Sequence, residues 1–173
     1  MRTEGEDGGM PKISRDDPRA QHMSSNTVVD RDGLAEFVAT RHRWVLATTR
    51  SDGRPQMSLV TGGMLPTGHL AIATYPERIK ARNAARDPHV SVGVMGEQFN
   101  DAWVQIDGTA EVLGMPAAGD ALVEYFRSIS GEHSDWGEYR QAMEDQGKCV
   151  ILIEPTRWSP VSRGGFPPSM FED

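Results

Sequence analysis

Between Ala102 and Leu113 apolar and polar residues alternate, with Val104, Ile106, Ala110 and Val112 on one face and Trp103, Gln105, Asp107, Thr109 and Glu111 on the other. A period of two predicts a strand with one face in a core. Runs rich in β-branched and apolar residues predict further strands at Trp44 to Arg50, Gln56 to about Met64, His69 to Thr74, Val90 to Val94 and Lys148 to about Ser162. Ser51-Asp52-Gly53-Arg54-Pro55 separates the first two and holds an Asp-Gly pair that favours a tight hairpin. Helical spacing of Leu34, Phe37 and Val38 predicts a helix from Asp30 to roughly Thr40, with Asp30 or Asp32 as its cap. A second helix opens at Pro76 and ends before Asp87-Pro88, a third carries Leu122, Tyr125, Phe126 and Ile129, and a fourth carries Trp136, Tyr139 and Met143 with Ser134 as N-cap. About six strands with helices between them predict a mainly β fold, a small antiparallel barrel with helical insertions.

A chain of 173 residues, 38% hydrophobic, suffices for one domain with a buried core. Residues 1–26 mix Gly, Pro and charge without an apolar period and are expected to form a disordered tail, followed by a domain over 27–165 and a short C-terminal tail over 166–173. The start has no apolar stretch of a signal peptide, and no run approaches the roughly 18 apolar residues of a membrane span, so a soluble, cytoplasmic protein is expected. The single cysteine, Cys149, lies in an apolar stretch and reads as a buried strand residue. A formal net charge of -7 argues against nonspecific nucleic-acid binding.

Against that acidic balance, Arg78, Lys80, Arg82 and Arg86 fall within nine positions at the start of the second helix. They form either a solvated helix face or an anion site, where free backbone N–H groups and the helix dipole would act together with the side chains. The motifs of hydrolases, classical dinucleotide enzymes and nucleotide triphosphatases are missing: there is no GxSxG, no GxGxxG after the first strand and no Gly-Lys-Ser/Thr loop. The five histidines have no zinc spacing, so no metal site is expected. Glu132-His133-Ser134-Asp135 is explained by a helix start. Trp103 falls on the polar side of its strand, where a partner subunit, a ligand or a local loop would cover the indole. A cofactor with its own reactive centre needs only binding, orientation and exclusion of water from such a chain.

Three segments in order and spacing, Val45 to Gln56, Arg78-Ile79-Lys80-Ala81-Arg82-Asn83 and Asp107-Gly108-Thr109-Ala110, resemble the flavin/deazaflavin oxidoreductases with a pyridoxamine phosphate oxidase-like, FMN-binding split β-barrel. Gly131 to Trp136 with Tyr139 to Met143 is further similar to the branch that uses coenzyme F420. The resemblance implies a homodimer with the cofactor in a groove between subunits. It implies that Arg78 and Lys80 contact the phosphate with Arg82 and Asn83 close by, that Gln56, Met57 and Ser58 run along the ring, and that Thr74 and Tyr75 lie beside it. Trp103 would fall at the groove, and Arg50 and Arg54 could meet a polyglutamate tail, which FMN lacks. The implied activity is hydride transfer from reduced F420 to an electron-poor small-molecule acceptor. The alternatives are an FMN-binding oxidoreductase of the same fold and a binding module without turnover. No catalytic side chain is identified. Met57-Ser58-Leu59-Val60 and the ending Phe166 to Asp173 depart from the motifs of the pyridoxamine phosphate oxidases proper, which argues against vitamin oxidase activity.

Overall fold

A computed structural model describes residues 12–172. In chain order these form β1 (Ser25–Thr27), α1 (Arg31–Val38), β2 (Arg43–Thr49), β3 (Pro55–Thr61), β4 (Gly63–Met64), β5 (Leu70–Thr74), α2 (Ile79–Arg86), β6 (His89–Met95), β7 (Val104–Gly114), α3 (Gly119–Ser130), α4 (Trp136–Asp145), β8 (Cys149–Trp158) and β9 (Val161–Arg163). Seven strands make one antiparallel sheet in the order β3-β2-β6-β7-β8-β5-β4, curled into a half-barrel. The predicted mainly β architecture is therefore correct.

Alternation decides the two faces of the sheet. Trp44 and Leu46 of β2, Val92 of β6, Ile106 of β7, Ile151 of β8 and Ile72 of β5 point inward, where Leu34 and Val38 of α1 and Ala81 and Ala84 of α2 join them. On the outside, α3 and α4 cover the β5–β8 half by packing Leu122, Val123 and Tyr139 with Ala71 and Val150. Among the described residues no helix covers the outer face of β3, β2 and β6.

Several boundaries differ from expectation. The run predicted as one strand to Met64 is broken at Gly62, where the backbone passes so close to the Trp44 ring that a Cβ would lie 1.9 Å from it and only glycine fits. The basic helix begins at Ile79 rather than Pro76, with Arg78 extended as its N-cap. Asp135, not Ser134, caps α4: its carboxylate accepts from the Gly137 and Glu138 N–H groups. Asp30 caps α1 by accepting from Gly33 N–H, as expected. Of the expected N-terminal tail, residues 1–11 lie outside the described residues. The remainder is held down, since β1 pairs with β9 and Ile13 bridges to Phe171, which is itself buried. Phe171 thus draws part of the expected C-terminal tail into the fold. Among the described residues no helix is long and apolar enough to cross a membrane.

Candidate functional site

The basic segment expected to form an anion site lies at one end of the sheet. β5 carries the buried Thr74 to its last position, Tyr75 starts a turn closed by Arg78 N–H donating to Tyr75 O at 3.1 Å, and α2 leaves from Arg78. Arg78 is exposed and Lys80 half-buried in the first helical turn. Among the described residues neither has a carboxylate within 4.0 Å. Burial, and after it the neighbouring Arg78 charge, hold the Lys80 ammonium below its usual pKa, with Cys149 opposing. Two cations that disfavour one another beside free helical N–H groups are stabilised by an anion between them.

The other predicted contacts separate into distinct places. Asn83 is not at the mouth of this site but 1% exposed beneath it. Its amide donates to Thr48 Oγ1 at 3.1 Å and its carbonyl accepts from Arg86 at 3.2 Å. Thr48 in turn donates to Gln56 Oε1 at 3.1 Å, and the Gln56 amide donates to Ser58 Oγ at 2.9 Å. Gln56 and Ser58 thus lie on the same side of β3 as buried Thr48, in a row that ties the edge strand to α2. Arg82 is exposed along α2. Arg86 at the far end of that helix, about 12 Å away at 1.5 Å per residue, donates to Thr49 O and anchors the hairpin that carries Arg50 and Arg54. Arg54 is engaged there by Asp52 at 2.8 and 3.0 Å; Arg54, and after it Arg50, hold that carboxyl below its ordinary range.

Met57 points the opposite way from Gln56, onto the uncovered outer face, and there it meets Trp103. Both line a groove of about 670 Å³ with Val45, Ala47, Gly93, Met95 and Phe99. Trp103 is 38% exposed, and its backbone is fixed by two 2.9 Å bonds with Ser162. Beside the groove Asp107 accepts from Gln105, Ser91 and Arg157, which in that order hold its carboxyl below the ordinary range. The Asp107-Gly108 pair has a structural basis in a register shift, where a Cβ on Gly108 would lie 2.5 Å from Glu154 O.

Reading along the chain missed Lys148. The β5–β8 register sets Thr74 opposite Cys149 and so brings Lys148 beside Tyr75, with its Nζ 4.0 Å from the ring centroid. Only the pairing of two strands distant in sequence reveals this neighbour.

Residues 31–162 match the family model for pyridoxamine 5'-phosphate oxidase. Among solved structures, the conserved hypothetical protein Rv2991 from Mycobacterium tuberculosis is 23% identical, with a TM-score of 0.65 over 81% of this chain and 88% of that one. An F420 reductase is 20% identical, with a TM-score of 0.57 over 76% and 98% of the two chains. The heme storage protein HutZ from Vibrio cholerae is 18% identical, with a TM-score of 0.58 over 77% and 95%. At these identities the likeness is one of fold.

Proposed function

We propose a function from the premise that this chain belongs to the pyridoxamine 5'-phosphate oxidase family: it is a reductase that binds F420 and uses it to reduce an electron-poor organic acceptor. The observation that carries this reading is the pair Arg78 and Lys80 at the β5–α2 turn, neither with a carboxylate within 4.0 Å among the described residues, in a fold whose neighbours include an F420 reductase. The donor set fits a phosphate-bearing planar cofactor. A guanidinium offers a planar fork to two phosphate oxygens and an ammonium a mobile point charge. Thr74 and Tyr75 border the phosphate position, and Met57 and Trp103 supply apolar surface on the outer face, while Gln56 and Ser58, engaged with Thr48 and with each other, hold the β3 edge in place. When bound, the deazaflavin supplies the hydride. The chain's own residues bind and orient it, and no side-chain acid is required of them, since solvent can deliver a proton.

The proposed working unit is a homodimer formed through the uncovered outer face. A second copy there would close the Trp103 groove and exclude water from it. The test is a parallel titration of the purified protein with F420 and FMN, followed by quenching of tryptophan fluorescence. Tighter binding of F420 supports the deazaflavin reading and directs an acceptor screen with quinones, enones and nitroaromatics. Tighter binding of FMN replaces it with the flavin reading. Binding of F420 without turnover of any acceptor reduces the protein to a binding module.

A further inference from the structure

Lys148 has no role in the fold's core, yet the chain around it is built to hold it in one place. Helix α4 ends at Asp145 with Gln146 as its C-cap, and Gly147 takes a left-handed conformation (φ +60°) that turns the chain sharply into β8. Gly147 N–H donates to Glu144 O at 2.9 Å and Lys148 N–H to Met143 O at 3.0 Å, so the turn is fixed on both sides of the glycine. The Tyr75 hydroxyl donates back to Gln146 Oε1 at 3.4 Å, and the Lys148 ammonium rests over the Tyr75 ring. Contact with a ring face leaves the charge un-neutralised. Among the described residues Lys148 has no carboxylate within 4.0 Å.

The neighbourhood is shared with the anion site. Cys149, next to Lys148, is buried opposite Thr74; burial, and after it Glu77, push its thiol up, with Lys148 and Lys80 opposing. Tyr75 links the two sides: its carbonyl accepts from Arg78 N–H at 3.1 Å and its ring carries Lys148, so the cations Arg78, Lys80 and Lys148 flank the end of β5, with the Glu77 carboxylate in the same turn. A single phosphodiester carries one negative charge and leaves this cluster with a surplus.

We propose, resting on the reading that Arg78 and Lys80 hold a phosphate, that Lys148 is a third cation of that site and receives a second acidic group on the same ligand. The ligand class is thereby narrowed to molecules with two or more anionic groups close together. Tyr75 is the perch that keeps the ammonium in position before the ligand arrives, which lowers the ordering cost of binding.

The experiment uses inorganic phosphate and inorganic pyrophosphate as probes, so it does not depend on which cofactor is native. Both are titrated calorimetrically into the full chain and into Lys148→Gln, Lys148→Arg and the double variant Arg78→Gln/Lys80→Gln. The expected result is that the full chain binds pyrophosphate more tightly than phosphate. Lys148→Gln loses about tenfold in pyrophosphate affinity, the size of one charge-assisted hydrogen bond, and changes little toward phosphate. Lys148→Arg restores the difference, and the double variant loses both ligands. If Lys148→Gln leaves pyrophosphate affinity unchanged while the double variant abolishes it, the role of Lys148 is overturned and the phosphate reading stands. If the full chain binds neither anion, or the double variant binds both as well as the full chain does, the phosphate reading falls and the role of Lys148 falls with it.

Discussion

At the scale of single residues, cations that bind a ligand and polar groups that hold the fold are told apart by their partners. Arg78 and Lys80 lack carboxylate partners among the described residues, so their removal should leave stability nearly unchanged and weaken the cofactor. Each charge-assisted contact contributes about 1.5 to 3 kcal/mol. Arg78→Ala/Lys80→Ala is therefore expected to lower affinity by two to four orders of magnitude, roughly, in the fluorescence titration; unchanged affinity would remove the phosphate assignment. Asn83 makes the opposite prediction, although it sits in the same helix. Its amide is spent on Thr48 and Arg86 in the interior. Asn83→Ala should cost about 1 to 3 kcal/mol of unfolding free energy in urea, because it strips partners from buried polar groups. A variant of normal stability that no longer binds the cofactor would instead make Asn83 a ligand contact.

At the scale of elements, close approaches rather than propensities set the junctions. Gly62 faces the buried Trp44 indole, which cannot move aside, whereas a Cβ on Gly63 would meet Ser128 Oγ at 2.0 Å, a hydroxyl that can rotate. Gly62→Ala should therefore lower the melting temperature much more than Gly63→Ala, and Ser128→Ala should rescue part of the second loss and none of the first. Helix α3 is pinned to the same region by Tyr125, whose hydroxyl donates to Thr61 O at 3.0 Å and whose pKa burial pushes from 10.0 up to about 12. A phenol with a folded pKa above its unfolded value contributes stability that is complete below pH 10 and lost as pH rises through about 12. Unfolding measured across that window should show the decline, and Tyr125→Phe should remove part of it. Period-two alternation made β7 legible because its inward and outward residues are chemically distinct. The Asp-Gly pair likewise marked the hairpin, and the Arg78 to Asn83 segment marked α2. Strand order, the Gly62 break and the approach of Lys148 to Tyr75 were not legible, since each depends on residues far apart in the chain. The choice of Asp135 over Ser134 as a cap turned on one residue of register that two good capping residues leave open.

At the scale of the whole molecule, the two halves of the outer sheet face differ. Where α3 and α4 lie, Ala71 and Val150 are fully buried; where no helix lies, Met57 is 68% exposed, Leu59 87% and Phe99 92%. A contiguous apolar face of this kind is costly to leave in water and suits a twofold contact in which the same patch serves both copies. Sedimentation is therefore expected to give twice the 19.0 kDa of the chain. Met57→Glu/Leu59→Glu should give a folded monomer with unchanged far-ultraviolet dichroism, because neither side chain belongs to the core. If the groove lined by Met57 and Trp103 belongs to the cofactor site, the same variant should also lose cofactor affinity, whereas Arg78→Ala/Lys80→Ala should lose it and remain dimeric. Salt offers an independent check. Each chain carries a formal net charge of -7, so two copies repel at long range while their proposed contact is apolar. Raising ionic strength screens that repulsion without weakening apolar burial. The dimer should tighten with added salt, and a dimer that dissociates on salt addition would point to an interface made by ion pairs elsewhere on the surface.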